Sequence, residues 1–235
     1  MLCTFFVVAC QPKYYVPNSH QVTRFTEEGD VNLNFNADGN QFEIQGAYAL
    51  TDQFAAAANF SRFAPRDQDN GNGGSGFLFE VAPGYYKPFR DNMVFEAFGL
   101  AGFGRVENHF PSLADSLSLN PEISANAFRV GVQPGLSLLY DRFSIGLSTR
   151  VSNLTYVNID GNLSFDGVDQ VEFLTDNRSN FLVEPALTAR FGTDKFRGQA
   201  QYGFSYNASN SEFLQNRQYL TIGFNINLNL EDIDL

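Results

Sequence analysis

In residues 142–152 every second side chain falls on one face. Phe143, Ile145, Leu147, Thr149 and Val151 alternate with Ser144, Gly146, Ser148, Arg150 and Ser152. Near the C-terminus Leu220, Ile222, Phe224, Ile226 and Leu228 alternate in the same way with Thr221, Gly223, Asn225, Asn227 and Asn229. A strand sends successive side chains to opposite faces, whereas helical spacing would scatter these residues around a cylinder. Followed from Val31 onward, the pattern predicts about ten strands, near residues 31–36, 41–50, 53–63, 76–88, 93–106, 127–140, 142–157, 181–192, 195–207 and 218–230. Most reach the roughly 9–11 residues that a tilted strand needs to cross a bilayer.

The connections alternate in length. Thr51-Asp52, residues 88–92, Tyr140-Asp141-Arg142 and residues 192–195 are short turns, and between them come longer polar loops at 64–75, 107–126, 158–180 and 207–217. Only Ala37-Asp38-Gly39-Asn40, a hairpin turn by its Asp-Gly, is short on the long-loop side. In an up-and-down barrel every second connection lies at the same end, so one end carries short turns and the other long loops. Outer-membrane barrels have that asymmetry, with the turns periplasmic.

Alternation does not say which face points inward. A soluble barrel of the fatty-acid-binder or lipocalin kind would turn Phe and Leu inward and show water a face rich in Lys, Glu and Thr. Here the polar face is Gly, Ala, Ser and Asn: Ala55, Ala57, Asn59 and Ser61 in one strand, Gln199, Gln201, Gly203 and Ser205 in another. Such residues suit a crowded lumen. The chain has 235 residues with 25 Phe, 10 Tyr and no Trp. Those aromatics flank the short turns (Tyr48, Phe54, Tyr85, Tyr86, Phe89, Tyr140, Phe143, Phe191, Phe196) and the loops (Phe63, Phe77, Phe103, Phe128, Tyr156, Phe181, Tyr206), as two interfacial girdles would. The fold class expected is therefore all-β, an antiparallel up-and-down transmembrane β-barrel over residues 31–230. Past the first ten residues no apolar run approaches the roughly 20 residues of a spanning helix. The net charge of −11 disfavours a nucleic-acid partner, which selects for Lys and Arg surfaces.

Residues 1–10 (MLCTFFVVAC) form a short apolar run ending in Val7-Val8-Ala9-Cys10 and turn polar at Gln11-Pro12-Lys13. This resembles the lipobox of a bacterial lipoprotein signal peptide, with residues 1–9 as the signal, shortened by loss of its basic opening stretch, and Cys10 as the lipidated residue. Residues 10–30, with Pro12, Pro17 and Glu27-Glu28-Gly29-Asp30, show no periodicity and read as a lipidated periplasmic tether. Residues 231–235 read as an acidic tail. Together with the barrel pattern, the chain resembles small Gram-negative outer-membrane β-barrel proteins, and with its Cys10-Gln-Pro-Lys-Tyr-Tyr-Val-Pro-Asn opening it is similar to barrel lipoproteins of the Bacteroidota kind. In the final strand Thr221, Gly223, Ile226 and Leu228 match the polar-x-Gly-x-x-apolar-x-apolar signal read by barrel-assembly machinery, although Glu231-Asp232-Ile233-Asp234-Leu235 follow it where an aromatic end is usual. The resemblance implies an outer-membrane location with a periplasmic, lipid-anchored N-terminus. Its implied partners are outer-membrane lipids and, during biogenesis, that machinery. It is architectural and implies little about activity.

Charges on the polar face are the candidate site. Glu43, Glu80, Glu96 and Glu184 share it with Arg129, Arg150, Arg190 and Arg197. Counted from the short turns, Glu43, Glu80, Arg150 and Glu184 fall at similar heights, and Glu96, Arg190 and Arg197 lie lower. Desolvated charges persist when paired and hydrogen-bonded, and a barrel of about ten strands is narrow beside porins. The expectation is a paired Glu/Arg network that plugs the lumen, with a narrow small-solute channel through the same residues as the alternative. Pro83, Pro134 and Pro185 recur several residues before short turns and should each mark a bulge or an unpaired ladder position.

An outer-membrane hydrolase acting on lipid or peptide would need His, Ser or Asp gathered at the outer rim. Of the two histidines, His20 lies in the tether and His109 in a loop with Ser112, Asp115 and Ser116, without a paired-Asp or Asp-His arrangement. No catalytic residue, cofactor or metal ligand is assigned. The run from Asp67 to Ser75 departs from a calcium loop because Gly71 occupies the third ligand place and no Glu stands at the twelfth. Asp115-Ser116-Leu117 fits a short O-glycosylation pattern. The role expected is structural or protein-binding, through the loops or the tether.

Overall fold

A computed structural model describes residues 11–64, 70–90, 92–114 and 120–230. Cys10 and the signal before it, Asp67 to Asp69, Asp115-Ser116-Leu117 and the tail 231–235 lie outside these. Ten antiparallel strands form the wall: β1 (Asp30–Ala37), β2 (Gln41–Ala49), β3 (Phe54–Phe63), β4 (Gly73–Phe89), β5 (Met93–His109), β6 (Glu122–Leu139), β7 (Phe143–Gly161), β8 (Ser179–Gly192), β9 (Phe196–Phe204, resumed at Tyr206–Asn207) and β10 (Gln218–Asn229). Each pairs with the next in sequence, and β10 pairs with β1 from Asp30 opposite Asn229 to Ala37 opposite Ile222. The sheet is thus closed, which removes its edges. It is the all-β up-and-down barrel that the alternation predicts.

Strands β4 to β7 run longer than the sequence pattern suggests, 17 to 19 residues against 8 to 10 in β1 to β3. The reason is an inversion of polarity. Along the lower part of β6, Phe128, Val130 and Val132 face out while Arg129 and Gln133 face in; above Phe128, Asn126 and Ser124 face out while Ala127, Ala125 and Ile123 are buried inside. The same exchange occurs above Phe103 in β5, where Arg105 and Glu107 point out and Val106 in, and in β7, where Asn153 and Thr155 point out and Leu154 and Tyr156 in. The alternation continues, but its sides trade character. The predicted loop 107–126 shrinks to 110–121, and most of 158–180 becomes a small hairpin (Ser164–Phe165 with Val168–Asp169) and a helix, α1 (Gln170–Asp176). Asp169 caps that helix by accepting from the backbone N–H of Val171 and Glu172.

The three prolines face outward and interrupt the ladders without shifting register. Pairing of β4 with β5 breaks at Ala82-Pro83 and resumes at Gly84, pairing of β6 with β7 breaks at Gln133-Pro134, and β8 beside Pro185 faces the gap at Ser205. They mark unpaired positions rather than bulges, because a missing N–H costs one rung and adds no residue. One register shift is present in the wall, between Ser124 and Asn126 of β6.

Residues 11–29 do not hang below the barrel as a tether. They run through it. At the loop end, Lys13 N donates to Asn108 Oδ1 (2.9 Å), Tyr14 N to the Leu214 carbonyl (2.8 Å) and Asn216 N to the Tyr15 carbonyl (3.0 Å). At the short-turn end Phe25 meets the ring of Tyr86 edge-on at 5.4 Å and Arg24 reaches the Asp194 carbonyl. The chain then reverses at Gly29 (φ +83°), with Thr26 N on the Asp30 carboxylate, and climbs the wall as β1. An extended chain covers about 3.3–3.6 Å per residue, so the eleven residues from Tyr15 to Phe25 reach roughly 36–40 Å, enough to cross the wall's height. Above and below the polar middle the lumen is closed by apolar clusters, one around Phe63, Phe110, Ile123, Tyr156, Leu174 and Phe213, the other around Phe25, Ala49, Ala55, Tyr86 and Phe98.

Candidate functional site

The lumen's centre is built from two ion pairs bridged by the threaded segment. Arg150 on β7 stands directly opposite Glu184 on β8 and donates through Nε to Oε2 at 2.7 Å. Arg129 on β6 reaches across β5 to Glu80 on β4, with Nε donating to Oε1 at 2.8 Å and Nη2 to Oε2. All four side chains are at most 1% exposed. Tyr15 OH accepts from Arg129 Nη1 (2.6 Å) and donates to Glu184 Oε1 (2.9 Å), joining one pair to the other. Asn18 clamps the first pair with both ends of its side-chain amide, accepting from Arg129 Nη2 (2.6 Å) and donating to Glu80 Oε2 (3.0 Å), and reaches the second through its backbone carbonyl, which accepts from Arg150 Nη2 (2.9 Å). Two carboxylates and two guanidinium groups cancel, and Tyr15 and Asn18 take up further protons and lone pairs of the four groups, which is the condition for keeping charges out of water.

The Arg129–Glu80 reach depends on Gly102, the residue between them in register on β5. A Cβ there would lie 2.7 Å from Glu80 Cγ and 3.0 Å from the Phe79 carbonyl. We expect Gly102→Val to force Glu80 off Arg129 and to lower unfolding free energy by about 3 kcal/mol, the scale of a broken buried pair, read as a fall in the urea midpoint of the refolded barrel. A fall no larger than that of Gly99→Val, whose Cβ would meet only the Pro83 carbonyl at 3.8 Å, contradicts this.

Of the other charges of the expected network, Glu43, Glu96 and Arg190 bond the threaded backbone and Arg197 bonds the short turns, and none pairs with another. Both oxygens of Glu43 accept from Ser19 N (2.9 and 3.0 Å), and Glu96 Oε2 accepts from Thr23 N (2.9 Å) and Thr23 Oγ1 (2.6 Å). Arg190 Nη2 donates to the Val22 carbonyl (2.7 Å) and its Nε to Gln199. Arg197 ties two short turns together through the carbonyls of Thr193, Tyr140 and Asp141. Gln45 takes the Ser19 carbonyl, Gln133 that of Gln21, and Gln201 both the N–H and the carbonyl of His20. Wall side chains thus supply the partners that a neighbouring strand would supply in a sheet.

Residues Asn18 to Thr23 are the part of the site that alternation could not find, since they have no period and their partners stand on the wall. A composition signal was present: Asn18-Ser19-His20-Gln21-Val22-Thr23 holds five polar residues and one apolar residue without an Asp, Glu, Lys or Arg, between the aromatics Tyr14-Tyr15 and Phe25. In the final strand Thr221 Oγ1 meets Ser19 Oγ at 3.0 Å, and Gly223 lies so close to the Phe35 carbonyl that a Cβ would sit 1.9 Å from it. Ile226 stands between Leu33 and Phe196, and Leu228 opposite Val31.

His20 is buried with Nδ1 2.8 Å from Ser148 Oγ, yet no carboxylate hydrogen-bonds its ring among the described residues, and Ser148 is itself buried. His109 faces Glu122 (3.9 Å), while Ser112 is held by Asn72. Among the described residues no group of three His, Cys, Asp or Glu side chains is placed to hold a metal ion. The cavity beside Tyr14, Tyr15 and Tyr156 measures about 30 Å³, room for one water and not for an acyl chain.

No family model matches this chain, and no curated protein does. Its function is therefore argued from the barrel and its stopper alone.

Proposed function

We propose that this chain is a non-enzymatic outer-membrane barrel lipoprotein, akin to those of the Bacteroidota, that stoppers its own lumen and meets partner proteins through its loop end. The observation that carries this reading is the inversion of polarity along β5 to β7. Below it the outer face is an apolar belt of Phe, Leu, Ile and Val interspersed with Ala, Gly and Pro, with Val130, Leu147, Leu187 and Ile222 each more than half exposed. An apolar belt of that extent is foreign to a soluble monomer's surface and fits hydrocarbon. Above it the outer face is polar and the inner face apolar, as in water.

Long loops of such barrels face outward and short turns face the periplasm. Gln11 to Tyr15 sit with the long loops, so an acyl group on Cys10 would anchor in the outer leaflet, the reverse of the periplasmic attachment implied by the resemblance. The Thr221, Gly223, Ile226 and Leu228 pattern would serve assembly.

Fractionation of cells making wild type and Cys10→Ala tests this, followed by gel mobility of the detergent-extracted chain with and without boiling. Outer-membrane recovery with a heat-dependent shift, and acyl labelling lost in Cys10→Ala, is the expected result. Recovery of wild type in the soluble fraction overturns the membrane reading, and unaltered acyl labelling in Cys10→Ala overturns the anchor.

A further inference from the structure

At the level where polarity inverts, two arginines point outward on one flank of the wall. Arg62 on β3 is in register with Phe77 on β4, and Phe77 with Arg105 on β5. Their Cα positions therefore stand two strand spacings apart, roughly 10 Å, with Phe77 on the strand between them. Directly beneath lies an unbroken row on four adjacent strands, Phe60, Phe79, Phe103 and Phe128, each 38–47% exposed, with the Phe103 and Phe128 rings 5.2 Å apart. A groove of about 390 Å³ opens between Phe60, Arg62, Ser75, Phe77, Arg105 and Glu107. Among the described residues these are the only Arg or Lys side chains that point outward from the loop-end half of the strands.

From this juxtaposition we infer that the β3–β5 flank is a binding site for a membrane lipid with an anionic phosphate headgroup: the phosphate between Arg62 and Arg105, the acyl chains descending across the phenylalanine row. Arg105 gives Nε to Glu107 (2.7 Å) and Nη2 to Ser124 (3.2 Å), which orients the group and leaves Nη1 for the ligand. Arg62 makes no ion pair among the described residues. Guanidinium groups bind phosphate oxygens through charge-assisted hydrogen bonds, and the polarity inversion puts them at headgroup depth. The inference rests on the membrane reading above.

Native mass spectrometry of the detergent-extracted full chain, titrated with phosphatidylglycerol, phosphatidylcholine or glycerol 1-phosphate, tests it. Wild type should retain phosphatidylglycerol about tenfold better than the variant Arg62→Gln/Arg105→Gln, while Lys87→Gln, at the short-turn rim, should match wild type. Equal retention by the double variant overturns the site, as does equal retention of phosphatidylcholine, whose choline cation cancels its phosphate and which a site for an anionic headgroup must bind less well. Displacement by glycerol 1-phosphate at equal concentration also overturns it, making the arginines a site for free phosphate. A heat-modifiable barrel that retains no phosphatidylglycerol removes this site alone, whereas a chain soluble without detergent removes the membrane reading with it.

Discussion

Removing residues 14–24 is expected to turn an electrically silent barrel into a conducting one. With those residues in place the lumen holds a fully buried chain from Asn18 to Thr23, and its backbone groups are bound by Glu43, Gln45, Glu96, Gln133, Arg150, Arg190 and Gln201. Deletion would leave those polar side chains around an empty axis, which water enters because each group it meets can hydrogen-bond it. In planar bilayers wild type should show only baseline current, and the deletion variant steps on the order of tenfold above it, a small conductance beside the wide channels of larger barrels. Boiling-dependent migration checks that the variant remains folded. If the folded variant stays silent, the apolar cluster around Phe63, Tyr156 and Phe213 or the one around Phe25, Tyr86 and Phe98 closes an end unaided, and the threaded segment is not the stopper.

Arg129→Met is expected to be the most damaging single substitution of the wall. It strips Glu80 of its bidentate partner and leaves Tyr15 OH and Asn18 Oδ1 without their donor. Loss of one partner of a buried pair costs about 3–5 kcal/mol, because the other charge stays desolvated. The urea midpoint of the refolded barrel should fall accordingly. In Arg129→Met/Glu80→Met most of that loss should return, since apolar replacement of both partners is often nearly neutral. A double variant as unstable as the single one would mean that bridging by Tyr15 and Asn18, rather than charge pairing, dominates the centre.

How much of this was legible in the sequence follows from the range of each signal. Period-two alternation is local, so the ten strands, the short turns and the inward set from Glu43 to Arg197 could be read residue by residue. Pairing is not local. Glu184 and Arg150 meet across one ladder, but Glu80 finds Arg129 two strands away over a glycine, which depends on register and tilt. Glu43 and Glu96 looked like ion-pair members because the only visible candidates were arginines, when their partners are the N–H groups of Ser19 and Thr23. The ends of β4 to β7 were hidden for a different reason: where Asn126, Glu107 and Thr155 face water, the hydrophobic side changes over and the pattern cancels itself. Prolines and the missing period made residues 11–29 resemble a tether, although a chain lined on all sides by foreign side chains needs no period of its own.

Because β10 closes on β1 around residues 14–25, the two ends of that segment emerge from opposite mouths of a ring, like an axle through a wheel. The strands must therefore either wrap around the axle as they assemble, or the axle must be drawn through a ring already shut. A folded domain fused ahead of Gln11 tells these histories apart, since a bulky knob at that end is harmless to wrapping and fatal to passage. It would also make the assembled protein mechanically interlocked, unable to shed its stopper toward the short-turn side without opening the seam between first and last strands.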